Sequence, residues 1–386
     1  MTGVKRLLGT IADPSQNNQT TTIFGEQIVT IQHASLLESF QYHINTKTIM
    51  TTVTNGGTVT QSDSMAVLSS STATNGSARI ETKKRLRYRP GNEGYATFTT
   101  LFENGGVAGA TQFAGIFDNT DGYFLGFNGT DFCVGRRKDS VNYLTTDVNQ
   151  DFLAKYDPTK LNIFVIKYAW LGTTPITFYW IDNSGKWIQI KRLDIANTLT
   201  APSISNPQLP MAVEVIKTSG ASDIVIKTGS WNCGTSQENS GIGNSDFSWR
   251  ASATGVTTES VLVNFRNRTT FQGVTNKVRI TLLYMSGSSD GIKPASVKVY
   301  KNLAIGGTPS WSSRDSNSIM EIDTAGTVTP NINALEFSLE LGKTDSKAIE
   351  LFKLDIHIDP TETLTITGES ANASDLVFFL RWHEQF

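Results

Sequence analysis

The stretch that decides the fold is Arg85–Arg137, RLRYRPGNEGYATFTTLFENGGVAGATQFAGIFDNTDGYFLGFNGTDFCVGRR. It is dense in glycine and aromatic residues and contains no run that a helix can use. Two turn signals, Arg89-Pro90-Gly91 and Asn128-Gly129, separate short apolar pieces. Such pieces between tight turns predict close-packed antiparallel strands. Gly91, Gly122 and Gly129 stand where hairpin turns call for positive φ. Tyr95, Phe98, Phe102, Phe113, Tyr123, Phe124 and Phe127 are the expected sandwich core.

The same rhythm continues on both sides. Leu161–Trp170 is apolar on both alternating faces, as a central strand requires. Ile176–Ile181, the turn Asp182-Asn183-Ser184-Gly185 and Trp187–Leu193 predict a hairpin. Met211–Val215 and Ile224–Ser230 add strands. Cys233–Ser245 (CGTSQENSGIGNS) has almost nothing to bury and is taken as a boundary. Beyond it, Val278, Ile280, Leu282 and Tyr284 face opposite Lys277, Arg279 and Thr281, Leu364 and Ile366 alternate with Thr363, Thr365 and Thr367, and Leu376, Phe378, Leu380 and Trp382 close the chain. The expectation is an all-β chain: an extended N-terminal arm (1–30), a β-sandwich (31–235) and a second, jelly-roll-like sandwich (246–386). One short helix is predicted near Ala34–Gln41, and Ser69–Ser77 is predicted to be a loop.

At 386 residues the chain is long enough for two domains. A net charge of -2 supplies no basic footprint for nucleic acid. Charged residues make up 18%, yet 38% hydrophobic and 10% aromatic residues argue against disorder. No segment has the 18 or more apolar residues of a membrane span, and the N-terminus lacks the apolar core of a signal peptide. The protein is therefore expected to be made in a cytoplasm, with no membrane insertion. Cys133 and Cys233 have no metal-ligand spacing; Cys133 reads as a buried thiol, with a disulfide as the alternative.

Three collinear blocks carry a resemblance. The first runs from Arg87-Tyr88-Arg89-Pro90-Gly91 through Phe98-Thr99, Leu101-Phe102, Gly115-Ile116, Asp118, Asp121-Gly122-Tyr123 and Gly126-Phe127-Asn128-Gly129 to Arg136-Arg137. The second holds Leu161-Asn162-Ile163, Trp170-Leu171-Gly172, Ile176 to Trp180, Ala196-Asn197 and Asn206-Pro207-Gln208-Leu209-Pro210. The third holds Phe271, Asn276, Lys293-Pro294-Ala295-Ser296, Gly306 to Trp311, Ser318 and Leu380-Arg381-Trp382. Together they resemble a virion structural protein family of tailed phages and large DNA viruses. The first domain is similar to laminin G-like and concanavalin-like sandwiches, many of which bind sugars. Leu125 and Cys133 depart from that pattern, where an aromatic and a glycine are expected.

The resemblance implies a particle component and no catalytic residue. It implies a phage tail, baseplate or fibre protein that assembles on the virion and contacts host-surface glycans. The alternatives are a capsid-decorating or minor capsid protein and, third, a carbohydrate-active enzyme. Other virion proteins are the implied partners, a homo-oligomer (a trimer) the implied state, and the virion the implied location.

Several constellations are candidates for chemistry. Glu321-Ile322-Asp323 matches the start of a Glu-x-Asp-x-x-Glu glucanase strand motif, but Gly326 stands where the last carboxylate belongs, so the reading is an exposed strand edge. Asp355, His357 and Asp359 share one strand face, as a divalent-metal row or as a solvated face. Asp118-Asn119-Thr120-Asp121-Gly122 resembles part of a Ca²⁺ loop; Asp118 and Asp121 are either its ligands or the caps of a hairpin turn. Trp231, Trp249 and Trp311 are placed in loops as candidate sugar-stacking rings or edge packing. Arg79, Lys83, Lys84, Arg85, Arg87 and Arg89 form the basic run, which alternation splits over two faces and which is expected to be solvated or subunit-facing.

Overall fold

The computed structural model describes residues 33–88, 91–170, 174–195, 197–220, 222–236, 245–354 and 356–384. The expected arm, residues 1–30, lies outside them. The chain divides into two compact units, residues 1–238 and 239–386. Both are antiparallel β-sandwiches, so the all-β tandem fold expected from strand rhythm is what the chain forms.

In the first unit one sheet runs Trp187–Leu193, Ile176–Ile181, Asn162–Tyr168, Gly94–Phe102, Val225–Thr235, Met65–Ser69, Thr58–Ser62, with His33–Ser39 also pairing with Val225–Thr235. The facing sheet runs Val141–Thr145, Asp131–Lys138, Gly122–Asn128, Ala110–Phe117, Met211–Lys217, Ser77–Thr82, Ile49–Thr54. The opening stretch thus supplies one strand to the first sheet and three adjacent strands to the second. Gly129 makes the tight turn opposite the Asn128–Asp131 pair, with φ +64°. At Gly126 a Cβ would sit 1.9 Å from the Gln112 carbonyl oxygen, so only glycine lets those two strands meet.

Alternation sorts the aromatics more finely than expected. Phe98, Phe102, Tyr123 and Phe127 fill the space between the sheets. Phe113 and Phe124 point the other way and form a separate buried cluster with Phe117, Cys133 and Ala212. The segment expected to be helical is a strand: His33–Ser39 pairs along Ser230–Thr235, because the long strand there has an edge to fill. The helix that does form, Gln150–Lys155, is capped by Asn149, whose side chain accepts from Asp151 N–H at 2.8 Å, and it buries Phe152.

Among the described residues the second unit has eight strands of five residues or more. Counted in chain order, one sheet runs 1-8-3-6 (Ser245–Val256, Ser374–Glu384, Ile280–Ser289, Ser346–Glu350). The other runs 2-7-4-5 (Ser260–Asn267, Thr363–Ser370, Ala295–Lys301, Leu335–Leu341). That interleaving is a jelly roll. Residues 302–334, between its fourth and fifth strands, leave the sandwich, and within them Met320–Asp323 returns to pair beside Ser260–Asn267. Inward residues such as Val263, Phe265, Val297, Ile366, Phe378 and Trp382 form this unit's core.

Candidate functional site

Alternation in Ser260–Asn267 sends Val263 and Phe265 inward and leaves Asn264 and Arg266 on the outer face of their sheet. Register then sets partners. Arg266 lies opposite Glu321 and Asn264 opposite Asp323, while Thr363 and Thr365 flank the same two residues on the other side. The excursion 302–334 passes over this face, and between them lies a cleft of about 620 Å³. Its walls include Arg266, Arg268, Trp311, Glu321, Thr361 and Thr363. That volume falls within the range of small-ligand sites.

Glu321 and Asp323 have separate tasks. Arg266 Nε donates to Glu321 at 2.5 Å, and Arg268 Nε stands 3.6 Å from the other oxygen. The Arg266 guanidinium lies 4.4 Å from the centre of the Trp311 ring, a cation–π contact. Arg268 also donates through Nη2 to Ser313 Oγ. Asp323 is 1% exposed and accepts from Asn264 Nδ2 (2.9 Å) and the backbone N–H groups of Ser310 (2.6 Å), Ala325 (3.1 Å) and Gly326 (2.9 Å). Burial alone would raise its pKa, but those four donors hold the carboxyl below the usual range. Asp323 thereby fixes the loop that presents Trp311. The pair is no exposed strand edge: a buried loop pin and a half-buried arginine partner stand where a solvated edge was expected. Among the described residues no second carboxylate lines the cleft, so it lacks the acid–nucleophile pair of a glycosidase.

The other candidates resolve differently. Trp231 lies in the strand Val225–Thr235, not a loop; it is 2% exposed, its Nε1 donates to Thr228 Oγ1 at 2.7 Å and its ring meets Phe40 edge-on. Trp249 is also in a strand, with its ring packed against the second core. Trp311 alone of the three lines the cleft.

Asp118 Oδ1 accepts from Thr120 N–H, Asp121 N–H and the Thr120 hydroxyl, and its Oδ2 meets Arg85 at 2.7 Å. Asp121 accepts from Ser205 N–H at 2.7 Å. These carboxylates cap a turn and dock a loop. Asp355 lies outside the described residues. The strand expected from Asp355 to Asp359 is reduced to His357–Ile358, preceded by a 3-10 turn at Phe352–Leu354. Asp359 is held by both forks of Arg279 at 2.7 and 2.8 Å, with His357 3.6 Å away. Among the described residues no group of three or more His, Cys, Asp or Glu side chains is placed to hold a metal ion. Both cysteines are free and buried; burial pushes the Cys133 thiol up to about 12 and the Cys233 thiol higher still.

The basic run is not uniformly solvated. Arg79 is 7% exposed on the outer face of the second sheet of the first unit, bonded to Glu81 (2.7 Å) and Glu214 (2.5 Å). Arg137 meets the same Glu214 at 3.0 Å. Both guanidiniums lie over the Phe117 ring. Long-range pairing adds Glu214 and Asp118 to Glu81, the one carboxylate within the run.

The residues that sequence reading missed are Arg266 and Arg268. They stand two apart in Val261–Phe271 (VLVNFRNRTTF), the spacing that puts two side chains on one strand face, and that was the available signal.

No family model matches the chain, and no curated protein does. Solved structures similar to it include lectin II from Ulex europaeus (13% identity, covering 53% of this chain and 99% of that one, TM-score 0.35) and the Lotus tetragonolobus seed lectin (11%, 53%, 100%, 0.35). Another is described under human gut microbiota endo-acting O-glycanases that initiate mucin breakdown (9%, 53%, 99%, 0.37). The likeness is faint at these scores and carries no weight on function.

Proposed function

We propose that this protein is a non-catalytic glycan-binding protein, displayed on a virion as part of a tail, baseplate or fibre. The observation that carries the binding reading is the cleft itself: an indole ring, two arginines and threonine hydroxyls converge around a single carboxylate on a rigid sheet. Aromatic faces take the apolar face of a sugar ring, while fixed polar groups set orientation. The virion setting is supported by the three collinear sequence blocks. A single sugar site of this kind binds at about millimolar Kd, roughly 4 kcal/mol. A homo-oligomer carrying many copies raises that by avidity.

Calorimetry with soluble oligosaccharides tests the binding reading. Wild-type protein should bind, and Trp311→Ala should weaken binding by about tenfold or more while the melting temperature stays within a few degrees, since the ring is only partly buried. Wild-type affinity in Trp311→Ala, or no binding by either protein, removes this reading. Mass spectrometry of purified particles checks the setting: absence of the chain from particles of a virus that encodes it excludes the virion role.

A further inference from the structure

Resting on that glycan-binding reading, we propose that the cleft is built for an acidic oligosaccharide, one whose sugar carries a carboxylate or a sulfate, with Arg266 and Arg268 receiving the anionic group.

Two guanidiniums face one carboxylate in this cleft, so a positive charge remains after Glu321 is counted, on a chain whose net charge is -2. Glu321 occupies Arg266 only through Nε. Among the described residues the two Nη groups of Arg266 have no acceptor, and neither does Nη1 of Arg268. The Arg266 side chain is 41% exposed and that of Arg268 22%, so these donors are reachable yet partly shielded from water. Partial shielding strengthens their attraction for an anion.

The chemistry of the donors matters. A guanidinium offers a planar fork that matches the two oxygens of a carboxylate or sulfate, and bonds to a charged acceptor are roughly twice as strong as neutral ones. The Nε contact to Glu321 and the stack on Trp311 hold the Arg266 fork in place before a ligand arrives. Thr361 and Thr363 border the same space and are suited to ring hydroxyls. Trp311 takes the sugar ring, and the arginines take its charge.

Calorimetry on the full chain at low salt decides this with three probes of matched length: oligogalacturonate, a sulfated galactan oligomer and a neutral galactan oligomer. The acidic probes should bind about tenfold tighter than the neutral one, and the advantage should shrink as salt is raised. Arg266→Gln and Arg268→Gln should remove the preference for the acidic probes over the neutral one. Arg266→Lys should not restore the preference, because a lysine lacks the fork. Glu321→Gln, which removes the competing carboxylate, should raise acidic affinity several-fold and guards against a merely misfolded arginine variant. The sulfate and carboxylate arms show which group is preferred, and a preference for either supports the inference. Equal affinity for acidic and neutral probes overturns it and leaves the glycan reading standing. No binding of any oligosaccharide removes both.

Discussion

Each unit carries an arginine–glutamate arrangement against an aromatic ring, and the two end differently. In the first, Arg79, Arg85 and Arg137 meet Glu81, Glu214 and Asp118, three cations to three anions, over Phe117 and Phe124. Remaining N–H groups there reach carbonyls: Arg79 Nη2 donates to Phe117 O and Arg137 Nη1 to Asp118 O. In the second, Arg266 and Arg268 share Glu321 beside Trp311, and donors are left over. The same residue types make a closed, structural network in one place and an open, receptive cleft in the other. Charge balance and burial separate the two, not composition.

The largest effect should come from breaking the closed network. Glu214→Gln leaves Arg79 and Arg137 buried without their shared anion, and about 3–5 kcal/mol of stability should be lost in urea unfolding. A loss under about 1 kcal/mol would show that this network is as loosely coupled as the cleft. Next is Asp323→Asn, which turns an amide NH₂ toward two of the four donors, since each carboxylate oxygen accepts from two of them. A loss of about 2–3 kcal/mol is expected, with faster amide exchange at Ser310, Ala325 and Gly326. Unchanged exchange there would mean that Asp323 does not hold the Trp311 loop.

The pH dependence of that same residue gives a smaller effect. Its folded pKa lies below the ordinary 3.8, so the unfolded chain takes up the proton first. Stability from Asp323 is therefore complete above that value and drains away as pH falls below it. As pH falls from about 4 to about 2 the wild type should lose melting temperature more steeply than Asp323→Asn; parallel curves would contradict the assignment. Glu321→Gln should cost less than about 1 kcal/mol, as expected of a partly exposed pair, against the several lost at Glu214. Equal costs at the two sites would erase the distinction between closed and open. Smallest of all, millimolar Ca²⁺ should leave the melting temperature unchanged, because Asp118 and Asp121 are occupied by protein donors; a rise would restore the calcium reading of that turn.

The strand rhythm, the tandem sandwiches and the turn at Gly129 were all legible in the chain, because alternation and turn chemistry are local. The helix expected near Ala34–Gln41 is a strand for the opposite reason: a distant partner, the edge of Val225–Thr235, decides its state. Trp311 was singled out together with two tryptophans that the core absorbs, since residue type does not tell a stacking ring from a packed one. Glu321-Ile322-Asp323 stands out in the sequence as a short acidic motif, but its two tasks depend on Arg266 and on backbone groups of residues 310–326.

By itself, then, the sequence determined many of the strands, where they turn and which of their faces are apolar. Tertiary structure alone decided which outward faces meet. Arg266 and Glu321 are 55 positions apart, and only the pairing of Ser260–Asn267 with Met320–Asp323 brings them together. Arg79 and Glu214 are 135 positions apart and meet by the same means. A charge reads as solvated until a distant strand supplies its partner, and whether that partner balances it fully or in part is what separates the buried network from the cleft.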